Sequence, residues 1–61
     1  MFQIGDLVKI KRSVDCLGIV LKVEKDFYKR PLQDRVKVDW IYGSEFPAVV
    51  YEPANALEGV Q

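Results

Sequence analysis

Val36-Lys37-Val38-Asp39-Trp40 alternates apolar and charged residues at every step, and this period of two recurs along most of the chain. Successive side chains of an extended strand point to opposite faces, so such alternation describes a strand with one buried and one wet face. Leu7-Val8-Lys9-Ile10-Lys11 repeats the pattern behind a Gly5-Asp6 turn, with Val8 and Ile10 on one face and Lys9 and Lys11 on the other. Gly18 to Glu24 is apolar on both faces over its first half, which predicts a central strand or one crossed by a loop. Ile41-Tyr42 extends the third strand, and Ala48 to Tyr51 makes a fourth. The run from Glu52 to Leu57 carries Pro53 at a helical start position but is too short for a full helix. One 3₁₀ turn is expected there, followed by a last short strand over 57–60. Ser13-Val14-Asp15 and Gly43-Ser44 carry turn residues. Lys25 to Arg35 is polar, holds Phe27 and Tyr28, and is broken by Pro31, so it reads as a long loop or a distorted hairpin arm.

No window has a useful helical period, and no internal repeat is present. The 61 residues make one domain, 1–61. A chain of this size buries only roughly 60% of the surface it exposes when unfolded, so small domains usually add disulfides, metal or self-association. One cysteine, Cys16, excludes an internal disulfide, and the absence of histidine and of a second thiol argues against zinc. Good packing or self-association is left. Five short strands cannot make a stable open sheet; they must fold over so that their apolar faces meet. The expected fold is therefore all-β, a small barrel of about five short antiparallel strands with a 3₁₀ turn before the last. Its expected core is Val8, Ile10, Ile19, Leu21, Val23, Val36, Val38, Trp40, Val50 and Leu57.

The same composition bounds the chemistry. Without histidine or threonine, the side-chain hydroxyls are Ser13, Ser44, Tyr28, Tyr42 and Tyr51, and neither serine has an evident base. Cys16 lies beside a turn near Arg12 but without a catalytic partner, and it reads as a small semi-buried filler. The acids Glu45, Glu52 and Glu58 have no metal-site spacing, and the four separate glycines form no phosphate cradle. An enzyme, a metal site and a cofactor are not expected. No apolar run of signal or membrane-spanning length is seen, and with the free thiol this points to the cytoplasm.

Charge is balanced overall and uneven along the chain. Residues 1–37 hold all nine bases against five acids, or +4, and residues 38–61 hold four acids and no base, or −4. Such a dipolar distribution steers a partner, pairs with a second copy, or simply reflects solvated strand faces.

Gly5-Asp6-Leu7-Val8-Lys9-Ile10 followed by Gly18-Ile19-Val20-Leu21-Lys22-Val23 resembles the opening of a KOW-type, SH3-like barrel. Val36 to Trp40 resembles its third strand, and Tyr51-Glu52-Pro53 with Leu57 resembles the 3₁₀ closure of small SH3-like and Tudor-like domains. The resemblance implies a recognition module, of the kind met as small stand-alone bacterial or phage proteins; a phage protein would sit in the host cytoplasm. Aromatics near strand ends line the ligand groove of such barrels, which makes Trp40, Tyr42, Phe46 and Tyr51 the candidate binding residues. Trp40 also continues the Val36-Val38 face and is equally a core candidate.

The leading expectation is a non-catalytic interaction module that binds protein or itself. The alternative is nucleic-acid binding, as in KOW modules, through Lys9, Lys11, Lys22, Lys29, Arg30 and Lys37 in the basic stretch 9–37. It ranks second because the segment Lys11–Leu17 lacks the glycine-rich basic loop of KOW modules, and Glu24, Asp26 and Asp34 cancel much of the field. A small subunit completing a larger enzyme or assembly is the third class.

Overall fold

The computed structural model describes residues 1–43 and 48–60. It is all-β. Strands β1 (Leu7–Ile10), β2 (Leu17–Lys29), β3 (Leu32–Tyr42), β4 (Val49–Pro53) and β5 (Leu57–Gly59) form one antiparallel sheet in the order β4-β3-β2-β1-β5. A single 3₁₀ turn, Ala54–Ala56, joins the two edge strands just before β5. The chain enters β1 through a Gln3–Asp6 turn, closed by the Asp6 N–H donating to the Gln3 carbonyl. Gly5 has φ 94° at its third position, where a type II turn requires a positive φ.

Val8, Cys16, Val20, Val36, Val38, Trp40 and Leu57 form one buried cluster, with Phe2, Ile10, Val23, Val50 and Ala54 packed against it. Residues from β1, β2, β3 and β5 meet in that cluster, so the sheet curls over its inner face. Trp40 lies opposite Gly18 on β2, and a Cβ there would come within 2.7 Å of the indole ring. The bare glycine is what lets the ring lie flat against the strand.

Most of the expected core is inside, with one correction on β2. Val20 is fully buried, whereas Leu21 is exposed and Ile19 only half-buried. The cause is a bulge: Val20 pairs with Val38 and Lys22 with Lys37, which leaves Leu21 without a partner. One extra residue reverses the inside–outside parity of the strand. Gly18 and Val20 therefore face the core before the bulge and Val23 after it. The polar segment 25–35 is a hairpin arm, turned at Arg30-Pro31 through a cis bond, so β2 and β3 are longer than expected. A second irregularity between Glu24 and Tyr28 contains Asp26 at φ 53°, whose N–H donates to an Asp34 carboxylate oxygen at 2.8 Å.

Glu52 pairs with the fully buried Val36 and so belongs to the inner face of β4. Burial pushes its carboxyl up from the ordinary value. A carboxyl raised in the folded state favours folding below its unfolded pKa and loses that contribution as pH rises through the folded value. At pH 7 the ionised Glu52 therefore works against the fold. Glu52→Gln should melt higher than the parent protein at pH 7, and the gap should close near pH 4. Equal melting temperatures at both pH values would mean that Glu52 is not desolvated.

Candidate interaction surface

The outer face of β2, β3 and β4 is built of three cross-strand rungs. Ile19, Asp39 and Val49 form the first, which Leu7 of β1 continues. Lys22, Lys37 and Tyr51 form the second, and Glu24, Arg35 and Pro53 the third. Val49 is 46% exposed and Tyr51 42%. Leu21 beside the second rung and Ile41 beyond the first are exposed as well. This side of the sheet therefore interleaves exposed apolar side chains with charges, Asp39, Lys22, Lys37, Glu24 and Arg35 among the nine rung residues.

The third rung is locked. The Arg35 Nε donates to a Glu24 carboxylate oxygen at 2.6 Å. The guanidinium carbon lies 3.8 Å from the centre of the Phe27 ring and 3.9 Å from that of Tyr51. A planar cation between two ring faces is held by both quadrupoles. The extra residues between Glu24 and Tyr28 are what bring Phe27 over Arg35, and Phe27 meets Tyr28 edge to face. The hydrogen bond from Arg35 is the main reason the Glu24 carboxyl lies below its ordinary value; burial opposes it, and the charges of Arg35, Lys22 and Lys37 assist. The Glu24 bond in turn raises Arg35.

The second rung is not locked. Lys22 and Lys37 stand directly opposite each other, and like charges in that position oppose strand pairing. Among the described residues neither lysine forms an ion pair, and neither does Asp39 one rung away. The Lys37 Nζ lies 5.9 Å from the Tyr51 ring centre.

Of the four aromatics expected to bind, Tyr51 lies on this face. Trp40 is 5% exposed and belongs to the core, so it offers no stacking surface. Tyr42 is exposed but pairs with Leu17 at the far end of β3. It is five residues from the rung of Tyr51, roughly 16 Å along an extended strand, so the two do not share a groove. Phe46 lies outside the described residues. Comparison with protein-family models, curated proteins and solved structures finds no match. The six basic candidates are dispersed. Lys9 is paired with Glu58 at 3.0 Å and also donates to the Ser13 carbonyl. Lys11 is exposed just past the end of β1, Lys29 and Arg30 sit at the hairpin tip, and Lys22 and Lys37 are the two that stand directly opposite each other. The Phe27–Arg35–Tyr51 stack has no signature in the sequence, because no spacing of residues signals a bulge that carries Phe27 over a neighbouring strand.

Cys16 is buried, and its sulfur accepts the Ile10 N–H at 3.3 Å, which suits a packing role. The described residues enclose no cavity, hold no cluster of metal-ligating side chains, and include no helix long and apolar enough to cross a membrane.

Proposed function

We propose that the chain is a non-catalytic interaction module of the SH3-like, KOW-like kind, and that it binds protein through the outer face of β2, β3 and β4. The observation that carries this reading is the set of exposed apolar side chains interleaved with charges on that face. Ile19, Leu21, Ile41, Val49 and Tyr51 surround three bases and two acids, a mixture close to that of ordinary protein interfaces. The strand order and the 3₁₀ link between the edge strands support the barrel class. A cytoplasmic setting in a bacterium or a phage host accords with the free, buried Cys16 thiol.

The Lys22–Lys37 rung beside Tyr51 favours a second reading, a nucleic-acid surface in which lysines hold phosphates and the ring stacks a base. It is weaker because Glu24 and Asp39 share the face and Lys9 is engaged with Glu58. Fluorescence titration of labelled mixed-sequence RNA and DNA should show little or no binding in about 0.1 M salt, where the Debye length is about 10 Å. Tight binding that falls roughly tenfold or more between low and physiological salt would transfer the face to nucleic acid.

A further inference from the structure

We infer that the partner on this face is a second copy of the chain, stacked antiparallel so that each Lys37 meets the Asp39 of the other copy. The inference rests on the reading of the outer face as a protein-contact surface. A two-fold interface sets one patch against itself, so the patch must carry its own complement. Here it does. A two-fold axis running along the rungs, midway between that of Lys37 and that of Asp39, reverses the strands and keeps each strand over its own copy. The second rung of one copy then lies on the first rung of the other. Tyr51 covers Val49, Lys37 faces Asp39, and the stem of Lys22 crosses Ile19. Face-packed sheets are about 10 Å apart, a gap that a lysine and an aspartate bridge.

The pairing also accounts for two features that the single chain leaves unexplained. The like-charge rung gains a counterion, since the Asp39 of each copy faces the Lys37 of the other. The exposed Val49 and Tyr51 gain apolar cover. A standard interface buries about 800 Å² per partner, which is about a fifth of the 4334 Å² this chain exposes. The two rungs that stack on each other hold six residues a side, far fewer than the roughly 20–30 of a standard interface, so the dimer should be concentration-dependent rather than permanent.

Two charge reversals on the full chain test the pairing. In a homodimer of Lys37→Asp, each contact sets one carboxylate against another; in a homodimer of Asp39→Lys, each sets one ammonium group against another. Either substitution reverses two symmetry-related contacts, and sedimentation velocity should show dimerisation weakened by roughly a hundredfold, about tenfold per contact. In an equimolar mixture, the introduced carboxylate of one variant faces the introduced ammonium group of the other, and the native Asp39 of the first faces the native Lys37 of the second, so the mixed dimer should form where neither variant dimerises alone. The same restoration is expected in the double variant carrying Lys37→Asp and Asp39→Lys together. There every contact again joins a base to an acid, and dimer should return. If a variant does not fold, the wild-type chain still decides: on raising its concentration, the amide resonances of residues 19, 37, 39, 49 and 51 should shift together. A wild-type chain that stays monomeric up to about 1 mM, concentration-dependent shifts elsewhere, or single variants that dimerise as wild type would each overturn the pairing. So would a folded double variant that remains monomeric. These outcomes leave the protein-binding reading standing, whereas tight oligonucleotide binding would remove that reading itself.

Discussion

Trp40→Ala should leave the chain largely unfolded at room temperature. Truncating a buried large aromatic costs about 3–5 kcal/mol, from lost burial and from the cavity left behind. A chain of this length commands roughly 3–9 kcal/mol in total, at the usual stability per residue. Trp40 is also not an isolated filler. It closes the β2–β3 layer over Gly18, and it follows Val36 and Val38 along the inner face of β3. Its indole Nε1 is buried and has no hydrogen-bond partner among the described residues. Trp40→Phe therefore keeps most of the ring volume and removes the polar atom, so it should cost far less than the alanine variant. Urea denaturation of both variants tests this. A cooperative, wild-type-like transition for Trp40→Ala would mean that the ring contributes little to the core.

The strands were legible because their alternation is a direct record of burial. Val36, Val38 and Trp40 face inward as their spacing requires, and Val8 and Ile10 do the same on β1. The expected turns at Gly5-Asp6 and before Leu57 are present for the backbone reasons that favour glycine and proline there. The alternation misled where the backbone departs from it. Nothing in Gly18-Ile19-Val20-Leu21-Lys22-Val23 marks Leu21 as the unpaired residue, because apolar side chains occupy both faces. The register of the partner strand decides that position, and register is a property of two segments. The same limit governs the surface. Lys22 and Lys37 are each outward by parity, but their direct opposition is fixed by the bulge at Leu21. Tyr51 was legible as an exposed aromatic; its place against Arg35 was not. Trp40 was ambiguous between core and groove, and the absent side chain of Gly18 settles it for the core.

Gly43→Ala should destabilise far more than Gly5→Ala, although both glycines occupy the left-handed region, with φ 80° and 94°. That conformation alone costs an L-residue about 1–2 kcal/mol, a penalty common to both substitutions. The surroundings differ. A Cβ at Gly5 meets nothing within 4 Å, whereas a Cβ at Gly43 would overlap the Asp15 carbonyl and approach the Cys16 Cα to 2.6 Å. Both obstacles are backbone, so no rotamer change relieves them, and the end of β3 must separate from the turn that leads into β2. Overpacking of this kind adds typically about 1–3 kcal/mol, which brings Gly43→Ala to roughly 2–5 kcal/mol, much of what the fold has. Chemical denaturation of the two variants isolates the contact, since the conformational penalty cancels in the difference. A second, local readout follows from the position of Cys16, which is 5% exposed beside this contact. Forcing Gly43 away from Asp15 should open the thiol, so a thiol-reactive probe should label Gly43→Ala faster than Gly5→Ala under native conditions. Equal stability loss together with equal labelling rates would show that the turn before β2 and the end of β3 are not held together at Gly43.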